Sequence, residues 1–142
     1  MFLQKNISRE VQKIKAIKPS TKIELYKRLH YAKDYIDSCY TSKITLEHLA
    51  SIAFLNSTYF LRTFKKNFNV TPYQYVIQKR LQLAKRLLAS SDITVADVCY
   101  KVGYEDVRSF ITLFKNNFGS TPEKYQHQHQ KKAIFATRFG FP

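Results

Sequence analysis

The sixteen residues from Phe60 to Tyr75 return fifty positions later, and no other feature constrains the fold of this chain as strongly. The first copy reads Phe60-x-x-x-Phe64-Lys65-x-Asn67-Phe68-x-x-Thr71-Pro72-x-x-Tyr75. The second reads Phe110-x-x-x-Phe114-Lys115-x-Asn117-Phe118-x-x-Thr121-Pro122-x-x-Tyr125, with eight of the sixteen positions identical. A period of this length marks one supersecondary unit built twice. Two copies are too few for a solenoid. They predict a two-part molecule that meets its partner at two equivalent places.

Both copies sit in the same local frame. Leu46, Leu49, Ala50 and Ala53 space a short helix over about 46–53, and Asn56 is suited to cap a second helix reaching about Asn67. Phe60 and Phe64, with Phe68, form its i, i+4 ridge. That spacing assigns the rings to a core rather than to stacking on single-stranded bases. A short helix, a tight turn and a ridged helix make a helix-turn-helix. In the second copy Thr94 and Asp97 read as a capping box, while Val95, Val98, Cys99 and Val102 line the short helix. Gly103 supplies the turn, and Asp106 caps a helix over about 107–117 that Gly119 stops.

Longer helices flank these units. Thr21-x-x-Glu24 opens one that runs to about Cys39, with Leu25, Leu29, Ala32, Ile36 and Cys39 as its stripe. Thr71-Pro72-x-Gln74 opens another, to about Ala89, with Thr as cap, Pro at the first helical position and Gln at the third. Its apolar face is Val76, Ile77, Leu81, Ala84, Leu87 and Leu88, and Lys79, Arg80, Lys85 and Arg86 are its basic residues. Residues 8–17 space Val11, Ile14 and Ile17 for a short basic helix broken by Lys18-Pro19-Ser20. Thr121-Pro122 opens a last helix to about His129. The basic stretch 130–142 shows no period, which fits either disorder or Phe135, Phe139 and Phe141 packing on the body.

The expected fold is therefore all-α. Two helix-turn-helix subdomains, 22–77 and 90–129, are joined by a linking helix over 72–89, with an N-terminal connector segment at 1–21 and a basic tail at 130–142.

A net charge of +14 calls for an anionic polymer as partner, nucleic acid ahead of membrane. The competing expectation is a helical interaction module with an acidic protein partner. No window approaches eighteen uncharged apolar residues, so no membrane span is expected. The N-terminus lacks the apolar core of a signal peptide, which makes the cytoplasm the default. Cys39 and Cys99 have no CxxC partner, and His30, His48, His127 and His129 lack metal-ligand spacing with Cys or acids, apart from the His127-Gln128-His129 pair in a polar C-terminal stretch. With no Gly-rich phosphate loop, nucleophile elbow or paired carboxylates, no catalytic residue, metal or cofactor is expected.

With Phe60 and Phe64 inward, Ser57, Thr58, Leu61, Arg62 and Lys65 are expected to face outward. With Phe110 and Phe114 inward, the outward set is Val107, Arg108, Ser109, Thr112 and Lys115. A helix-turn-helix presents its second helix to the major groove, where base edges carry a readable pattern of donors and acceptors. Arg62 and Arg108 suit guanine through paired hydrogen bonds, each worth about 1–3 kcal/mol of discrimination. Ser57, Thr58, Ser109 and Thr112 offer hydroxyls, and Leu61 and Val107 suit thymine methyls. Lys65, Lys66, Lys115, Thr71 and Thr121 are assigned to phosphate, which sets register but reads no sequence. The linking helix spans about 27 Å, close to one duplex turn of about 34 Å. One chain is thus expected to occupy two successive major grooves of double-stranded DNA. Unlike outward residues in the two helices predict an asymmetric site.

These residues resemble the DNA-binding domain of the AraC/XylS family of bacterial transcription regulators, over about Leu25 to Gln126. The resemblance rests on Leu46-Glu47-x-Leu49-Ala50, Phe60-x-Arg62-x-Phe64-Lys65, Thr71-Pro72-x-x-Tyr75 and Arg80-Leu81-x-x-Ala84-x-x-Leu87-Leu88. The second half adds Val98-Cys99-x-x-Val102-Gly103-Tyr104, Ser109-Phe110, Phe114-Lys115-x-x-Phe118-Gly119 and Thr121-Pro122-x-x-Tyr125. It implies seven helices, two helix-turn-helix units on a rigid linking helix, and activation of transcription through contact with RNA polymerase. Most members of the family also carry an upstream effector-binding or dimerisation domain, so the resemblance implies either a stand-alone regulator or the C-terminal piece of a longer one, for which the basic helix at 8–17 would serve as connector. Three positions depart from the pattern. Thr112 stands where Arg is usual, implying a weaker or purely positional grip by the second helix. Cys99 replaces a small Ala, and Phe54 stands where Gly is common.

Overall fold

The computed structural model describes residues 21–140. The expected helix over 8–17 and the ring of Phe141 lie outside the described residues. Within them the chain is entirely helical apart from turns: α1 (Lys22–Cys39), α2 (Leu46–Ile52), α3 (Ser57–Phe68), α4 (Pro72–Ser90), α5 (Val95–Lys101), α6 (Val107–Phe118) and α7 (Pro122–Phe139). No described helix is long and apolar enough to cross a membrane.

Side-chain caps set the starts. Thr21, Asn56, Thr94 and Thr121 each accept the amide proton of the residue three positions on, satisfying a donor that the first helical turn leaves unpaired. The box at α4 is reciprocal. Thr71 Oγ1 accepts from the Gln74 amide at 3.1 Å, and Gln74 Oε1 accepts from the Thr71 amide at 3.0 Å. Thr45 caps α2 in the same way, at 3.2 Å, a start signal additional to those read from the sequence.

The chain divides between Gln78 and Lys79 into two compact units, each with its own core. In the first, Leu29, Ala32 and Ile36 of α1 bury against Leu49 and Ala50 of α2, Phe60 and Phe64 of α3, and Val76 at the start of α4. In the second, the buried set is Leu81, Ala84 and Leu88 of α4, Val98 and Cys99 of α5, the following Val102, and Phe110 and Phe114 of α6. Fully burying a side chain of this size contributes about 1.5–3 kcal/mol relative to leaving it exposed. Both cysteines are free, and Cys99 is buried as a small apolar residue.

The duplication extends beyond the stretch from Phe60 to Tyr75 and its repeat. Leu25, Arg28, Leu29, Ala32, Lys33 and Ile36 of α1 recur as Ile77, Arg80, Leu81, Ala84, Lys85 and Leu88 of α4, at an offset of fifty-two. Each unit is thus a long helix that carries a helix-turn-helix. The first turn occupies residues 53–56 and the second 102–106, one residue longer.

Both turns stop the short helix with the same pair of backbone bonds. Phe54 and Leu55 donate to the carbonyls of Ser51 and Ala50, and Gly103 and Tyr104 donate to those of Tyr100 and Cys99. The stop requires a left-handed residue, which is Phe54 at φ 54° in the first unit and Gly103 at φ 106° in the second. A side chain there costs about 1–2 kcal/mol. Phe54 therefore departs from the usual glycine without changing the path of the turn.

The last helix corrects the expectation for the C-terminus. It continues to Phe139, well past the expected end near His129. Ile134, Phe135 and Phe139 are 66%, 57% and 58% exposed. No Gly or Pro interrupts the run before Gly140, which ends it at φ 69°. Most of this segment is exposed, which is why it carries no apolar period. Its root is held by Gln126, which donates to the carbonyls of Ser91 and Ile93, and by Gln130, which donates to Asp92.

Candidate nucleic-acid interface

The orientation of α3 follows from its rings. Phe60 and Phe64 are fully buried with centroids 5.5 Å apart, Phe64 meets Phe68 at 4.6 Å, and Thr63 donates to the carbonyl of Tyr59 from within the core. Thr58, Leu61, Arg62, Lys65 and Lys66 then face solvent together. The α6 helix repeats the arrangement with Phe110 and Phe114 at 6.1 Å and Phe114 and Phe118 at 4.7 Å, leaving Arg108, Ser109, Thr112 and Lys115 exposed. Neither helix contains a carboxylate, so each exposed face is positive.

Ser57 and Val107 differ from their assignment as outward residues, for both are only half exposed. Each lies three positions before a buried Phe, which on a 3.6-residue helix puts it on the core side. Ser109 is exposed, but its hydroxyl donates to Asp106 Oδ2 at 2.8 Å. That bond, with the amides of Ser109 and Arg108, holds the Asp106 carboxyl below the usual carboxylate range and starts α6. Thr71 and Thr121 are half-buried, and their oxygens are engaged as caps.

The two arginines do not occupy equivalent positions. Aligning Phe60 with Phe110 places Arg62 opposite Thr112 and Thr58 opposite Arg108. The cation sits one helical turn nearer the N-terminus on α6 than on α3.

Two kinds of basic residue took roles that a linear reading does not reveal. Arg80, Lys85 and their counterparts Arg28 and Lys33 hold each unit together. Arg80 donates to the carbonyl of Gly103 and Arg28 to that of Phe54. Lys85 Nζ lies 5.6 Å from the centre of the Tyr125 ring, as Lys33 Nζ lies 5.2 Å from that of Tyr75. Conversely, Lys22 at the start of α1 joins Tyr59, Arg62, Lys66 and Asn67 of α3 around one cleft. The guanidinium of Arg62 lies over the Tyr59 ring there, 5.7 Å from its centre.

A family model described as a helix-turn-helix domain matches residues 49–128. Among curated proteins, the chain is 37% identical over 93 residues to the probable transcriptional regulator LumQ of Photobacterium leiognathi, covering 66% of this chain and 38% of that protein. Among solved structures, the C-terminal domain of the two-component response regulator yesN from Fusobacterium nucleatum aligns with a TM-score of 0.64 at 36% identity, covering 67% of this chain and 93% of that one. The DNA-binding domain of AdpA, solved in complex with a target DNA, aligns with a TM-score of 0.68 at 24% identity, covering 74% and 95%, a likeness of fold. The chain spans less than half the length of the curated relatives it matches first, 38%, 31% and 48% of them.

Proposed function

The chain belongs to the AraC/XylS family of transcription regulators and carries its helix-turn-helix DNA-binding domain, and from that premise we propose that α3 and α6 each enter a major groove of double-stranded DNA. The observation that carries this is the paired outward faces. Thr58, Leu61, Arg62 and Lys65 on one helix, and Arg108, Thr112 and Lys115 on the other, stand exposed on helices whose roll is fixed by buried phenylalanines.

Arg62 and Arg108 read guanine edges, Thr58 and Thr112 supply hydroxyl contacts, and Leu61 meets a thymine methyl. Ser57, Val107 and Ser109 act from the margins, the last chiefly by starting α6. Lys65, Lys66 and Lys115, with the capped helix starts at Thr71 and Thr121, hold phosphates and set register. The first reading subdomain is residues 22–77, and the second, residues 90–129, is completed by Leu81, Ala84 and Leu88 of the linking helix over 72–89. Because the two faces differ, the preferred site is not a palindrome. Activation through contact with RNA polymerase, in the cytoplasm, is the regulatory outcome that the family implies.

The test is fluorescence anisotropy of a labelled duplex titrated with the chain at several salt concentrations. Each phosphate neutralised contributes about −0.9 to the slope of log K against log salt. A steep linear fall is expected. Failure of any duplex to associate at low ionic strength removes the proposal.

A further inference from the structure

The cleft between the N-terminal end of α1 and the flank of α3 shares Arg62 with the base-reading face and carries Lys22 of α1, which that face does not use. It is bordered by Lys22, Tyr59, Arg62, Lys66 and Asn67, with the apolar floor supplied in part by Leu25. Three of these side chains are cations, drawn from two helices, and no carboxylate borders the cleft. Among the described residues, neither Lys22, Arg62 nor Lys66 takes part in an ion pair; the α1 pairs are Arg28 with Glu24 and Lys33 with Asp37. Three like charges converging on one concave surface repel one another in the free protein, and an anion seated among them relieves that repulsion. The hydroxyl of Tyr59, and the second N–H of the Asn67 amide whose first donates to the Thr63 carbonyl, add hydrogen-bond donors of the kind phosphate oxygens accept.

The corresponding hollow of the second unit is built differently. It is bordered by Arg108, Ser109, Thr112 and Asn116, a single cation among neutral groups. The position matching Lys22 at the offset of fifty-two is Gln74, whose side chain is committed to the Thr71 cap. This second hollow therefore lacks the three cations that border the first.

We propose that this cleft binds a phosphodiester of the DNA backbone, with Lys22 of α1 as a contact residue alongside Lys66 and Arg62. The inference rests on the DNA-binding role proposed above and adds to it. It assigns a phosphate contact to α1, an element outside the helix-turn-helix. Arg62, at the mouth of the cleft, then links phosphate and base contacts.

The experiment compares the whole chain with Lys22→Gln and Lys27→Gln, using one duplex and a salt series. Lys27 is exposed on the same helix and does not border the cleft, so it controls for bulk charge. Removing a lysine at the start of a helix relieves an unfavourable interaction with the helix dipole, so Lys22→Gln is expected to fold as the parent does. Losing one phosphate contact makes the slope of log K against log salt shallower by about 0.9. Lys22→Gln should show that change, with affinity lowered by the same factor on cognate and unrelated duplexes. Lys27→Gln should leave the slope at the parent value. An unchanged slope in Lys22→Gln, or equal changes in both variants, overturns the phosphate cleft while leaving the base-reading faces intact. Absence of duplex binding by the parent chain instead overturns the DNA-binding role itself.

Discussion

The guanidinium of Arg80 donates to the carbonyl oxygen of Gly103 at 3.2 Å and lies 5.1 Å from the centre of the neighbouring Tyr104 ring. Arg28 makes the same bond to Phe54 in the first unit, at 3.3 Å. In each unit an arginine of the long helix grips the left-handed residue that turns the chain towards the exposed basic helix. Charge-assisted bonds of this kind contribute about 1.5–3 kcal/mol. Arg80→Ala should lower stability by roughly that amount in urea denaturation, and Arg80→Lys should restore only part, since an ammonium lacks the planar fork. Equal stability of all three proteins would show that the carbonyl needs no such partner.

A second prediction concerns the stops of the two exposed helices. Gly119 ends α6 at φ 78° and Asn69 ends α3 at φ 60°. A β-carbon on Gly119 meets nothing within 4 Å, so Gly119→Ala measures backbone strain alone. The expected loss is about 1–2 kcal/mol. Asn69→Gly should be close to neutral, because Asn tolerates this conformation better than other side chains. Thermal unfolding of both variants checks the contrast, and a neutral Gly119→Ala would contradict it.

The first unit should lose stability in alkali. Tyr75 donates its hydroxyl to Asp37 Oδ1 at 2.6 Å, and burial, then this bond, raises its pKa above the usual phenol range. Lys33 is raised as well, first through its interaction with Tyr75. A group whose folded pKa lies above its unfolded one stabilises fully below the unfolded value. That contribution fades as pH rises through the folded value, so the decline should begin near pH ~10. In Tyr75→Phe the phenol contribution is gone, and stability measured between pH 8 and 11 should fall less steeply. A parallel decline in both proteins would place its origin elsewhere.

Much of this architecture is legible in the chain because local signals agree with tertiary packing. Thr21, Asn56, Thr94 and Asp106 mark helix starts, and the Phe pairs fix which side of α3 and α6 is buried. The rest depends on contacts between residues distant in sequence. Nothing local to Arg28 or Arg80 indicates that its charge meets a turn carbonyl 26 or 23 residues away. Nor does the sequence near Lys22 reveal its place beside Arg62. The match between α1 and α4 was hidden by its offset of fifty-two, displaced from the fifty of the Phe motifs. The reach of α7 to Phe139 leaves no mark in the sequence, because a largely exposed helix needs no apolar stripe.

The most direct measurement is selection of bound sequences from a random duplex pool by the parent chain and by Arg62→Ala and Arg108→Ala. The account predicts two separated blocks of base preference, unrelated by symmetry, each containing guanine. Each variant should relax one block while sparing the other, at about 1–3 kcal/mol of lost discrimination. A single block, or two blocks untouched by either substitution, would contradict the claim that α3 and α6 both read DNA.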